Sequence, residues 1–318
     1  MFEIVFFGTS ASAPSIYRGL PSAAILAGED RFLVDCGEGT QRQILRSGIG
    51  FKKLNRILLT HAHLDHILGL GGLISTFTSW ESMDDITIWG SQYALGRVKS
   101  LIFDVVFIGK KPSIPVNLVD VESGIIYEGK KFKVTAIPVQ HRGAGCYGYV
   151  FEEETHYPFI SEKADELGVP FGPERSLLVK GESVTLKDGT VITPDMVLGE
   201  AIRGVKVVFT GDIGNLEAIK EYAADADILV TEATFLDEHK AEAAAFGHIT
   251  ATQAAQFALD NNIKHLLLTH LSRRYREYDV IKEAKSIFPN AIVARDLDHF
   301  RIRRGAALEK VDLRAGSN

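Results

Sequence analysis

The chain has 318 residues, 46% of them apolar and 24% charged, with a formal net charge of −6. That composition excludes a disordered chain and suits a globular α/β protein of one domain plus an insertion. Two cysteines, Cys36 and Cys146, stand outside any Cys-x-x-Cys pair or disulfide framework, so a reducing cytoplasm is expected, and the absence of an apolar run near 18 residues excludes a helical membrane span.

In chain order, Glu3 to Phe7 reads as a strand rather than a secretion signal. Gly8 to Pro14 reads as a Gly/Ser-rich loop, either a simple turn or a set of backbone N–H groups facing a phosphate. Ala23 to Ala27 and Phe32 to Val34 flank a hairpin signal at Gly28-Glu-Asp-Arg31, and the second strand leads into Asp35-Cys-Gly-Glu-Gly39. Asp35 reads as a carboxylate that orients a ligating histidine. Glu38 either shares that work or opens the helix that continues through Gln43 to Arg46.

The next stretch organises the chain. An apolar run at Leu58-Leu59 ends in Thr60-His61-Ala62-His63-Leu64-Asp65-His66, three histidines and an aspartate within six positions. Histidines two apart on an extended segment point the same way, so His61 and His63 can grip one metal while Asp65 and His66 turn toward a neighbouring position. Imidazole with carboxylate is a ligand set for zinc, with manganese or iron as alternatives. Ile67 to Ile74 is helix with small residues for close packing, Ile86 to Trp89 a strand, Ser91 to Ile102 an amphipathic helix, and 103 to 133 structural strands around Pro112 and Pro115.

Three further apolar strands end on a possible ligand: Val134 to His141, Val207 to Asp212 and His265 to His270. Four such strand ends are how an α/β scaffold builds a site at the edge of its sheets. Residues 152–203 break the rhythm with four prolines, a helix-like Glu162 to Leu167 and a hairpin at Lys187-Asp-Gly189. Because the stretch interrupts two ligand-bearing strands, it is expected to project as an insertion. Beyond it come a helix at Leu216 to Ala224, a strand at Ile228 to Glu232 and a helical stretch from Ala243 to Phe257 that carries His248 and a capping sequence at Thr250 to Gln253. A helix at Val280 to Ile287, a strand at Ile292 to Ala294 and a frayed basic tail over 301–318 complete the chain.

The pattern His-x-His-x-Asp-His, followed by a His, an Asp and a His, resembles the metallo-β-lactamase superfamily of metal-dependent hydrolases. Phe7-Gly-Thr-Ser-Ala, Asp35 to Arg42, Thr231-Glu-Ala-Thr-Phe235, Gly247-His-Ile-Thr250 and Leu268 to Tyr275 are similar to ribonuclease Z, which matures tRNA 3′ ends. The resemblance implies an αββα four-layer sandwich built from residues 1–151 and 204–300. It implies one metal on His61, His63 and His141, a second on Asp65, His66 and His270, and Asp212 as the bridge. It further implies two zinc ions, a tRNA precursor as substrate and a homodimer.

Dinuclear sites suit phosphodiester hydrolysis because the cation pair lowers the pKa of a shared water and neutralises phosphoryl charge. The resemblance assigns His248, paired with Glu232, to protonate the leaving 3′ oxygen, and Asp65 could take a proton from the nucleophile. Ser272, Arg273 and Arg274 follow His270 and are placed to touch a phosphate. The inserted arm resembles the element that grips the tRNA elbow, yet residues 152–203 hold eleven acidic against five basic side chains, so a dimer or lid element is the alternative. The chain departs from the family at Thr231, at Ala62 and Leu64, and at Gly19, none of which is a ligand. Hydrolysis of small phosphodiesters or other esters is the alternative activity, and a non-catalytic binding subunit is disfavoured by the complete ligand set.

Overall fold

A computed structural model describes residues 1–80 and 83–312. The chain divides into two compact units, Met1–Glu152 with the chain from Val205 onward, and Glu153–Gly204.

The first strand, Phe2–Gly8, shows how the larger unit is layered. Its side chains alternate, so Phe2, Ile4 and Phe6 enter one core while Val5 and Phe7 enter another. The strand lies in an eight-stranded sheet whose order is Glu309–Lys310, His299–Ile302, Phe2–Gly8, Ser22–Ala27, Asp30–Val34, Arg56–Leu58, Ile86–Gly90 and Val116–Asp120. A seven-stranded sheet runs Ala291–Val293, His265–Thr269, Ile228–Glu232, Lys206–Phe209, Tyr147–Glu153, Phe132–Pro138 and Gly124–Glu128.

The two sheets face each other across an aromatic core in which Phe2, Phe32, Phe132 and Phe151 meet edge to face. Helices Thr40–Ser47, Leu70–Trp80 and Gln92–Lys99 bury Ile44, Leu73, Phe77 and Val98 against the outside of the first sheet. Helices Ala251–Asp260 and Glu277–Lys285 bury Ala254, Phe257, Val280 and Ala284 against the second. This is the αββα four-layer sandwich expected from the sequence. Cys36 and Cys146 are buried free thiols, and no helix among the described residues is long and apolar enough to cross a membrane.

Two elements differ from expectation. The stretch Ala243 to Phe257 is two helices, Lys240–Phe246 and Ala251–Asp260, because Gly247 takes the left-handed conformation (φ +70°) that terminates the first. The second opens on the expected capping box of Thr250 and Gln253. The tail is not frayed over 301–310: Glu309–Lys310 pairs with the strand His299–Ile302, Arg301 bonds Glu3, and Lys310 pairs with Asp298 at 2.6 Å. Residues 313–318 of that tail lie outside the described residues.

The smaller unit has its own core of Ala164, Val169, Leu178, Val184, Ile192 and Val197. It holds helices Ser161–Glu166 and Pro173–Val179 and a short hairpin of Val184–Thr185 with Val191–Ile192. The Gly172-Pro173 pair starts the second helix, with proline at its first position, where a missing N–H costs nothing.

Candidate metal centre

The strands Arg56–Leu58, Phe132–Pro138, Lys206–Phe209 and His265–Thr269 each end beside one cavity, so chain direction alone gathers the candidate ligands. Two groups form. His61, His63, His141 and Asp212 make one; Asp65, His66 and His270 make the other. Asp212 lies between them: its Oδ2 is 3.6 Å from His61 Nε2, 3.8 Å from His141 Nε2 and 3.5 Å from His66 Nε2, and its Oδ1 is 3.4 Å from His270 Nε2. Gly211, just before it, presses on Thr60, where a Cβ would stand 2.7 Å from the threonine Cβ.

Two carboxylates orient four imidazoles in matching ways. Asp35 Oδ2 accepts from His66 Nδ1 at 2.7 Å and from the Thr60 hydroxyl, also at 2.7 Å; the hydroxyl in turn accepts from His61 Nδ1 at 3.0 Å. Glu232 Oε1 accepts from His248 Nδ1 at 2.9 Å, while its Oε2 accepts from the Thr234 hydroxyl, which accepts from His270 Nδ1 at 3.0 Å. His141 Nδ1 donates to the Gly247 carbonyl at 2.6 Å. Nδ1 is therefore the protonated nitrogen in His61, His66, His141 and His270, whose Nε2 presents its lone pair to the cavity, whereas His63 turns its Nδ1 toward His61 Nε2 and His141 Nε2.

These residues fit divalent cations. Nε2 of His66 and of His270 is buried without a hydrogen-bond partner, which is costly unless something electrophilic sits there. Ligand atoms in a tetrahedral site with bonds of about 2.0–2.1 Å stand roughly 3.4 Å apart, close to the separations around Asp212. Burial pushes His61 well below the ordinary imidazole value, and the neighbouring His66 pushes the same way, which keeps it in the neutral, ligating form. Burial would raise Asp65, but His270 and His66 outweigh it and hold that carboxyl well below the usual range. His248 is near enough to Asp212 and His270 to complete a third such group. Burial disfavours its cation, but Glu232 prevails and raises its pKa.

Around this centre the structure departs from the sequence reading in three places. The Gly8 to Pro14 loop does not offer free N–H groups to a phosphate: Ser10 N donates to Gly19 O, Ala11 N to Leu271 O and Ser12 N to Asp65 Oδ2 at 3.0 Å. Glu38 is exposed and orients no histidine. Arg274 is held by Glu242 through two bonds of 2.6 and 2.8 Å, whereas Arg273 is exposed with no ion pair among the described residues. Ser272 spends its hydroxyl oxygen on the Arg274 N–H at 3.2 Å. Sequence reasoning missed Thr60 and Thr234, although each adjoins a ligand or a carboxylate at a strand end. It also missed Phe235, Phe246 and Arg142, which line a cavity of about 440 Å³ together with His63, Asp65, Asp212 and His248.

Sandwich and ligand cluster together define a hydrolase fold of the metallo-beta-lactamase superfamily, whose family model matches residues 17–154. A Ribonuclease Z of Bradyrhizobium diazoefficiens is 45% identical over 94% of this chain and 99% of its own length. Another, from Bradyrhizobium sp., is 41% identical over 95% and 100%. The chain belongs to the ribonuclease Z family. The crystal structure of human tRNase Z, short form, shares the fold with a TM-score of 0.67 at 22% identity, over 94% of this chain and 99% of that one.

Proposed function

We propose that this chain is a metal-dependent endoribonuclease that removes the 3′ trailer from tRNA precursors and leaves a 3′ hydroxyl. The observation that carries this reading is Asp212 standing between two ligand groups, with the Glu232–His248 pair opening on the same cavity. Two divalent cations, zinc in this proposal, would be held by His61, His63 and His141, by Asp65, His66 and His270, and by Asp212 between them. When bound they supply Lewis acidity toward the phosphoryl oxygens and the attacking water.

The remaining steps belong to side chains. Asp35 and Glu232 fix the imidazoles, so the site needs little reorganisation as charge develops on the phosphate. His248, whose pKa the Glu232 carboxylate raises against the effect of burial, delivers a proton to the leaving 3′ oxygen, and Glu232 stabilises its cation beforehand. Asp65 is a weak base because its carboxyl is held in the ionised form, which favours a holding role over proton transfer. Arg273, without an ion pair among the described residues, offers its guanidinium to a substrate phosphate.

The unit Glu153–Gly204 is assigned to the tRNA elbow, and the protein to the cytoplasm as a homodimer, a state that light scattering on the purified chain measures. A second reading, hydrolysis of small phosphodiesters, is favoured by the acidity of that unit. Comparing kcat/KM for a 3′-extended tRNA precursor with that for methyl p-nitrophenyl phosphate decides between them. Efficient precursor cutting with slow turnover of the small diester supports the ribonuclease; the reverse supports the alternative.

A further inference from the structure

Beside the ligand cluster lies a surface that the ribonuclease reading leaves without a role. Phe246 ends the helix Lys240–Phe246 and is 44% exposed; Phe235, buried, lies parallel to it within 4° at a centroid distance of 6.4 Å. Phe246 lines the same cavity as His248, and its contacts cover it only in part. Each ring also has a guanidinium over it, Arg142 at 5.5 Å from Phe246 and Arg274 at 5.6 Å from Phe235. Arg142 makes no hydrogen bond or ion pair among the described residues, so only the ring and solvent compete for it.

The shelf is tied to the reacting groups through backbone. Gly247 follows Phe246, its carbonyl accepts from His141 Nδ1, and its missing Cβ leaves room for the Arg142 stem, which would otherwise stand 2.9 Å away. On the other side, the Phe235 ring is 6.1 Å from His248. Whatever stacks on Phe246 is thereby held at a set distance from the group that protonates the leaving oxygen.

We infer that Phe246, backed by Phe235 and bordered by Arg142, is a stacking platform for one unpaired nucleobase, that of the nucleotide whose 3′ oxygen leaves. This rests on the proposed ribonuclease activity and deepens it. Every base has a π face and an unpaired base presents it freely, whereas a paired stem does not. The side of the cut follows from His248, because the nucleotide carrying the departing 3′ oxygen must lie against that imidazole. Arg142 adds a cation for the base or its phosphate.

The test uses full-length, metal-loaded protein and a 3′-extended tRNA precursor with a synthetic abasic nucleotide immediately 5′ or immediately 3′ of the cut. Phe246→Ala raises KM roughly 5- to 100-fold on the intact precursor, the range for stacking of one base on an aromatic side chain. Phe246→Trp retains affinity, while Phe246→Leu, which keeps apolar bulk without a π face, does not. The 5′ abasic substrate weakens wild-type binding by a similar factor and adds nothing to Phe246→Ala. An unchanged KM in Phe246→Ala, parity of Leu with Trp, or an abasic penalty confined to the 3′ nucleotide overturns the inference while precursor cutting by wild type still upholds the ribonuclease. Failure of wild type to cut any precursor, with turnover of methyl p-nitrophenyl phosphate intact, removes both.

Discussion

Asp35 Oδ2 accepts a 2.7 Å hydrogen bond from Nδ1 of His66, and both groups are buried. The same oxygen takes the Thr60 hydroxyl that supports His61, so one carboxylate sets the orientation of a ring in each ligand group. Asp35 sits at φ +57°, a conformation that asparagine tolerates better than most residues, so Asp35→Asn tests the charge without straining the backbone. Its affinity for divalent metal, measured by competition with a chelator, is expected to fall about 10- to 100-fold. Unchanged affinity would mean that the imidazoles hold themselves in place.

Glu277 links two distant segments of the chain, around Arg18 and around Arg295. It pairs with Arg18 at 2.7 Å and with Arg295, and Arg18 also donates to Thr9 and to the Ala294 carbonyl. That anchors the loop whose Ser12 N–H reaches Asp65. Burial would raise the Glu277 pKa, but Arg295 and Arg18 outweigh it and the carboxyl is held below its ordinary value. A depressed pKa means stabilisation that is present above the unfolded pKa, about 4.3, and lost as pH falls through the lower folded value. Glu277→Gln is therefore expected to cost about 0.5–1 kcal/mol at pH 7, a figure reduced for solvent screening, and nothing once pH lies below the folded pKa. Urea unfolding of both proteins across that range measures the difference; a gap that persists or widens in acid contradicts it.

His248 is near enough to Asp212 and His270 to compete for a place as a ligand, but its Nδ1 bond to Glu232 fits proton delivery. His248→Ala should keep two metals per chain by elemental analysis and lose about 10²- to 10⁴-fold in kcat on precursor. Loss of a metal ion would move His248 into the ligand set.

Neighbouring arginines should behave differently. Arg274 is committed to Glu242, so Arg274→Ala leaves that carboxylate bare at the cavity rim and raises KM by repulsion; Glu242→Ala in the same chain restores much of it. Arg273→Ala removes a free cation, so its loss of affinity is not restored by Glu242→Ala and is accompanied by a weaker dependence of binding on salt. Equal rescue of both variants would contradict this assignment.

The ligand cluster was legible in sequence because each candidate side chain follows an apolar strand, and strands that end together bring their ends together. Asp35 was legible for the same reason. The Gly8 to Pro14 loop was not: its N–H groups find partners at Gly19, Leu271 and Asp65, separations that no local pattern encodes. Glu242 and Arg274 lie on different elements, so their pairing also had no sequence signal. Phe246 reads in sequence like any apolar residue at the end of a helix; only its exposure and its parallel partner distinguish it. In the smaller unit, prolines suggested turns where two of them begin helices, Pro173 and Pro194, since proline suits the first helical turn as well as it suits a loop.

The most direct measurement is a metal titration of the stripped protein, read out by cleavage of a 3′-extended tRNA precursor with the product ends mapped. The account predicts that cutting appears only as the second equivalent binds, falls on the 3′ side of a single unpaired nucleotide, leaves a 3′ hydroxyl and is absent in Asp212→Ala. Full cutting at one equivalent, or in Asp212→Ala, would contradict it.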